Sequence, residues 1–271
     1  MIFGEHRLRL ITGGILALVL ALCVWYGGLP LLLLTLAVVL VGLFEFYSLF
    51  WPGTERAVTK LTGLILGAGL LLAQGSDPLW THAVLLLYGF AAALLFLFAY
   101  GRGETETRLS DYMPLIFGAV YIVLAMRAAL VFSPAEQLLC VLAAIGTDVG
   151  GYYAGCRFGK NKVWPSVSPK KSWEGSAGGL ALCVVLCLGF GLARERFALN
   201  LPDLPLAVWV LVGIFLNIAA QMGDFFESAL KRTLNVKDSG TILPGHGGLL
   251  DRIDSLLFVL PAYLLVRQLV G

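Results

Sequence analysis

Charge is scarce in this chain. Of its 271 residues, 13% are Asp, Glu, Lys or Arg and 59% are hydrophobic, whereas a soluble globular domain carries about 25% charged residues. With a mean hydropathy of +0.87, there is too little polar surface to cover an exterior in water, and the bilayer is the solvent that fits. Histidine is rare too, with three in all, and the five cysteines (Cys23, Cys140, Cys156, Cys183, Cys187) form no CxxC pair and no Cys/His cluster. This argues against a zinc site or a disulfide framework and leaves the cysteines as small side chains in apolar runs. Neither a Walker pattern nor a GxGxxG turn occurs, so a nucleotide would have to be held by other means. A net charge of +2 gives no reason to expect a nucleic-acid partner.

What is present is a series of long apolar runs. A helix needs about 20 apolar residues to cross the hydrocarbon, and nine candidate spans appear, at 10–27, 30–50, 58–74, 81–100, 111–132, 135–155, 176–194, 205–227 and 250–270. The first follows Arg7 and Arg9 as a signal peptide would, but no small-x-small cleavage box follows it, so it reads as a retained span. The expected fold is all-α: one polytopic membrane protein with about nine transmembrane helices.

Basic residues orient it. With the N-terminus cytoplasmic, the inner segments hold Arg7, Arg9, Arg56, Lys60, Arg102, Arg108, Arg157, Lys160, Lys162, Lys170, Lys171, Lys231, Arg232 and Lys237. The outer loops hold only Arg194 and Arg196, with Arg267 at the outer end of the last span. That asymmetry follows the positive-inside rule. Residues 1–134 read as apolar helices with short loops, Glu45 being the exception, and 135–271 as the region with polar chemistry and two cytoplasmic loops, 156–175 and 228–249.

Acids inside a membrane are expensive and are candidates for function. Asp148 lies in Gly146-Thr147-Asp148-Val149-Gly150, Asp224 and Glu227 in Gly223-Asp224-Phe225-Phe226-Glu227, and Asp251 and Asp254 in Asp251-Arg252-Ile253-Asp254. Spacing of three on a helix turns each of the last two pairs to one face. All sit at the expected cytoplasmic ends of their spans. One such pair could be ordinary interfacial acids or partners of Lys231, Arg232 and Arg252. Three clusters converging on one side beside two basic loops suit a hard cation such as Mg²⁺ with substrate phosphates.

The first loop, with Ser168, Pro169, Lys170, Lys171, Ser172, Glu174 and Gly175, suits phosphates or anionic lipid headgroups. The second runs Lys231-Arg232-x4-Lys237-Asp238-x-Gly240-x2-Leu243-Pro244-Gly245-His246-Gly247-Gly248. Its glycines could bring backbone N–H groups up to an anion, and His246 could donate to a phosphate oxygen.

The 27 residues 228–254, Ser228-x-Leu230-Lys231-Arg232-x4-Lys237-Asp238-x-Gly240-x2-Leu243-Pro244-x-His246-Gly247-Gly248-Leu249-x-Asp251-Arg252-Ile253-Asp254, resemble the signature of phosphatidate cytidylyltransferases without departure. The stretch Asp148–Gly175 is similar to a second motif region of that family. The resemblance implies transfer of the cytidylyl group of CTP to phosphatidic acid, giving CDP-diacylglycerol and pyrophosphate, at the cytoplasmic face of the bacterial inner (plasma) membrane. It also implies Mg²⁺ and a second cation such as K⁺. Carried over by residue, Asp224 and Asp251 are the first expected metal ligands, with Asp254, Glu227 and Asp148 behind them. Asp224, Asp251, Lys231 and Lys237 are the expected catalytic groups. Ser168, Lys170, Lys171, Arg232, Asp238, His246, Gly247 and Gly248 are expected to bind substrate. A related CTP-using enzyme acting on another lipid stays open. A secondary transporter, whose acids would lie near the midplane, fits less well. The small-residue stretch Gly175-Ser176-Ala177-Gly178-Gly179 would also permit a homodimer.

Overall fold

A computed structural model describes residues 2–54, 56–73, 78–104, 106–243 and 247–270, for residues 2–11 the backbone alone. Each of the nine expected spans falls on a helix: α1 (Ile2–Tyr26), α2 (Gly28–Phe50), α3 (Ala57–Leu72), α4 (Pro78–Gly101), α5 (Leu109–Ala129), α6 (Pro134–Phe158), α7 (Trp173–Arg196), α8 (Leu206–Thr233) and α9 (Leu250–Val270). Seven are long and apolar enough to cross a bilayer; α3 and the described apolar part of α1, Thr12–Tyr26, are shorter. No strand occurs among the described residues, so the chain is an all-α integral membrane protein. α5 is not uniform: a 3-10 turn at Leu109–Tyr112 leads into an α segment, a π turn at Ala119–Leu124, and a last α segment to Ala129.

The helices form two compact units. One is Met1–Leu130 with Asp238–Leu250; the other is Val131–Lys237 with Asp251–Gly271. The first is organised around α2, where Val39, Leu43, Phe46 and Tyr47 are fully buried. Gly63 on α3 and Gly118 on α5 leave room for the Tyr47 ring, and its hydroxyl donates to Leu115 O at 3.1 Å. The Tyr88 hydroxyl on α4 donates to Gly63 O at 2.9 Å. On the outward side α4 leaves Leu86, Phe90, Leu94, Leu97 and Phe98 exposed, side chains that lipid would cover.

The second unit contains α6 to α9. Ser133-Pro134-Ala135-Glu136 starts α6 as a capping box: Ser133 Oγ accepts from Glu136 N at 3.2 Å and Glu136 Oε2 accepts from Ser133 N at 2.7 Å. Ser172 caps α7, accepting from Gly175 N at 3.2 Å. α6 and α7 then meet backbone on backbone. A Cβ at Gly150 would stand 2.5 Å from Gly178 O, one at Gly179 2.6 Å from Thr147 O, and one at Gly175 2.8 Å from Gly151 O. Lipid tails are as apolar as leucine, so helices associate in a bilayer through such close packing of small residues. Gly175, Gly178 and Gly179 all pack in this way against α6. On the other side of the unit, a Cβ at Gly223 on α8 would stand 2.5 Å from Asp254 O on α9.

The helices overrun the expected loops. α6 continues through Cys156 and Arg157 to Phe158, α7 begins at Trp173, and α8 continues to Thr233. The first loop is therefore 159–172 and the second 234–249. The polar ends of these helices carry the chain out of the apolar run without breaking its hydrogen bonds, so hydropathy alone ends the spans too early.

Candidate active site

The polar chemistry of the second unit gathers where α6, α7, α8 and the 159–172 loop meet. They enclose a cavity of about 590 Å³ lined by, among others, Asp148, Tyr152 and Cys156 of α6, Lys162, Lys170 and Lys171 of the loop, and Gln221 and Asp224 of α8. That volume suits a small-molecule headgroup or nucleotide. Gly151, Gly155 and Gly175 also line it, so the seam that joins α6 to α7 forms one wall. Cys156 is exposed here, whereas Cys140, Cys183 and Cys187 are buried as expected.

Glu174, in the first turn of α7, holds the loop back on itself. Its carboxylate accepts from Lys160 N at 3.1 Å, from Asn161 N at 3.2 Å and from Asn161 Nδ2 at 2.8 Å. Trp173 N donates to Asn161 O at 2.9 Å, and Lys162 and Ser172 form an isolated bridge. At the tip, Ser168 N donates to Trp164 O at 2.9 Å, and the Trp164 ring meets Phe225 of α8 edge-on with centroids 4.7 Å apart. These contacts deliver Lys171 to Asp224: the ammonium pairs with Asp224 Oδ2 and lies 4.7 Å over the Phe225 ring. Lys170, one residue back, is exposed and lines the cavity, whereas Ser168 is half-buried in the loop, its carbonyl accepting from Lys171 N at 3.3 Å.

A second charged cluster lies on α8 and α9. Lys231 donates to Glu227 Oε2 at 2.8 Å and to Asp251 Oδ1 at 2.5 Å. The Glu227 side chain is 1% exposed and those of Lys231 and Asp251 are 14% and 10% exposed. Breaking such a pair by removing one partner leaves a buried charge uncompensated, at a cost of about 3–5 kcal/mol. Asp224 also accepts from Ser228 Oγ at 3.2 Å. It lies within electrostatic range of Asp148 and Asp254, each repelling it, and Glu227 is repelled by Asp254 and Asp251.

The structure therefore brings together Asp148, Asp224, Glu227, Asp251, Asp254, Lys171 and Lys231. Arg232 is exposed in the last turn of α8, and Lys237 and Asp238 are exposed beyond its end, past the left-handed Asn235. Gly247 has φ +82°, which favours glycine, and its carbonyl accepts from Leu243 N at 2.9 Å; Gly248 is buried. His246 lies outside the described residues. The sequence marks Glu174 and Lys162 only as members of a loop suited to phosphates, and Gln221 and Tyr152 not at all. Glu174 had a signal in the acid at the start of a helix, but an acid there commonly just complements the helix dipole.

A cavity lined by lysines suits an anionic substrate. The family model described as "Cytidylyltransferase family" matches residues 7–270. The chain belongs to the cytidylyltransferase family. It is similar to a phosphatidate cytidylyltransferase of Bacillus subtilis (strain 168), 36% identical over 95% of this chain and 96% of that protein. A phosphatidate cytidylyltransferase of Staphylococcus aureus (strain COL) is 31% identical over 94% of this chain and 96% of its own length. One of Staphylococcus epidermidis (strain ATCC 12228 / FDA PCI 1200) is 49% identical over 42% of each chain. The family resemblance seen in residues 228–254 is thus borne out, and the chain is a membrane-embedded nucleotidyltransferase.

Proposed function

We propose that this cytidylyltransferase transfers the cytidylyl group of CTP to phosphatidic acid, releasing pyrophosphate, at the cytoplasmic face of the inner membrane. The observation that carries the reading is the cavity of the second unit, in which Lys162, Lys170 and Lys171 face Asp148 and Asp224. The lipid phosphate is already an anionic nucleophile, so no serine or cysteine nucleophile is needed. A phosphate oxygen of the lipid forms a bond to the α-phosphorus of CTP, and the bond from that phosphorus to the bridging oxygen of the β-phosphate breaks. The pyrophosphate leaves with the electron pair. The main obstacle is repulsion between two polyanions. Lys162, Lys170 and Lys171 neutralise the phosphates at the cavity, and Lys231, Arg232 and Lys237 do so at the end of α8.

The donors fit a hard cation. They are all carboxylates, and two ammonium groups already occupy three of them: Lys171 on Asp224, and Lys231 between Glu227 and Asp251. Among the described residues, no three His, Cys, Asp or Glu side chains converge on one point to hold a metal. Mg²⁺ would be held by Asp224 and Asp251, with Asp148, Glu227 and Asp254 adding negative charge, and a second cation such as K⁺ would share that field. Bound there, a divalent ion neutralises charge developing on the leaving pyrophosphate.

The test is capture of label from α-³²P-CTP in the lipid phase, using purified protein in detergent, dioleoyl phosphatidic acid and Mg²⁺. Label is expected in a CDP-lipid, and its loss is expected on chelation and in Asp251→Asn. Well-folded protein that labels a polyprenol or ether-lipid acceptor and not phosphatidic acid would overturn the substrate. Near-wild-type turnover by Asp251→Asn would overturn the metal assignment.

A further inference from the structure

Glu45 is the one acid deep in the apolar run of α2, between Phe44 and Phe46, and it is 2% exposed. An acid buried there is costly, and nothing in the proposed chemistry uses it directly. Its carboxylate is turned onto the segment 238–250 of its own unit. Oε2 accepts from Leu250 N at 2.8 Å and from Ser239 Oγ at 3.4 Å. The same group lies over two glycines of the signature. A Cβ at Gly240 would overlap Glu45 Oε1, and one at Gly248 would stand 2.9 Å from Oε2 while colliding with Ser239 Oγ. Neither glycine has a positive φ, so backbone conformation does not call for them. Gly240 has no room for a side chain against this carboxylate, and Gly248 has none against Ser239 Oγ and Gly240 N, where the loop closes around it.

We propose that Glu45 is a positioning residue for the reaction. It ties down the 238–249 loop at Ser239, next to Lys237-Asp238, and at Leu250, the first residue of α9 and the one before Asp251. Leu250 N is an orphan donor of the helix start, and a carboxylate there satisfies it and complements the helix dipole. What the site requires of residue 45 is therefore an acceptor of this length in this place. The inference rests on the proposed reading in so far as this loop and Asp251 serve the transfer.

The experiment uses full-length protein in detergent: wild type, Glu45→Gln, Glu45→Ala and Gly240→Ala. Two quantities are measured: the rate of tryptic cleavage after Lys237 relative to cleavage in the 159–172 loop, and kcat for transfer from CTP to phosphatidic acid. Removing a partner that orients a working group typically costs 10–100-fold, so Glu45→Ala and Gly240→Ala are each expected to lose at least about tenfold in kcat. Cleavage after Lys237 should quicken in both while cleavage in the 159–172 loop holds its wild-type rate. Glu45→Gln keeps the carbonyl acceptor and should stay near wild type in both readouts. The proposal is overturned if Gln is as defective as Ala, if both loops loosen together, or if loosening at Lys237 leaves kcat unchanged. Wild-type protein that performs no transfer to phosphatidic acid would sink the reaction assigned above, while the proteolysis arm still decides whether Glu45 anchors the loop.

Discussion

Asp224 meets a lysine, a serine hydroxyl and the fields of two other carboxylates. Replacing it by Asn keeps the shape and removes the charge. Turnover in the labelled-CTP assay is expected to fall by about 10²-fold or more, the scale for losing one preorganised electrostatic group. Lys231 serves a structural purpose as well. Lys231→Ala strands the buried Glu227 beside Asp251 and should cost roughly 3 kcal/mol, read as a lower midpoint of thermal unfolding in detergent. Lys231→Arg should retain most of that stability. These acids were legible in the sequence because a carboxylate within an apolar run has few ordinary reasons to be there. The pairing of Lys171 with Asp224 was not legible, since it depends on a loop folded by Glu174 and Trp164. Gln221 and Tyr152 carry no mark that separates them from other polar residues near a helix end.

At the scale of elements, the seam between α6 and α7 invites a direct test. Gly150→Ala sets a methyl group against the carbonyl of Gly178, and the two backbones must part. Such overpacking costs about 1–3 kcal/mol, and because the seam also walls the cavity, KM should rise along with the loss of thermal stability. Helix identity was readable throughout, and α6 starts one residue before the expected 135, at Pro134 behind the Ser133 cap. Helix ends were less readable, because α6 and α8 run on through polar residues that a hydropathy window treats as loop. The π turn of α5 lies in Ala119–Leu124, an apolar stretch with no glycine or proline to announce it.

For the whole molecule, the placement of basic residues specifies an orientation that labelling can check. In a cysteine-free background, a cysteine at Ser166 in the 159–172 loop should react with an impermeant maleimide only from the cytoplasmic side. One at Asp203, between α7 and α8, should react only from the other side. The reverse pattern would turn the chain over and remove the site from cytoplasmic CTP. The helices were legible because hydrophobic length is a strong local signal, although only seven of the nine expected spans are long and apolar enough to cross a bilayer. The assignment of residues 238–250 to the same unit as α2 was not, because the hydrogen bonds of Glu45 to Ser239 and Leu250 join positions far apart in the chain, and Glu45 by itself said only that something polar must meet it.

The seam of α6 and α7 has a mechanical meaning for whatever enters the cavity. Glycines and main-chain atoms have no rotamers to exchange, so that wall behaves as the stationary jaw of a clamp. Of the lysines that line the same cavity, Lys171 is tied to Asp224 and Lys162 to Lys170 O, and the exposed Lys170 keeps a flexible four-carbon stem. Differences in the size and charge of an incoming headgroup must therefore be absorbed almost entirely on the lysine side.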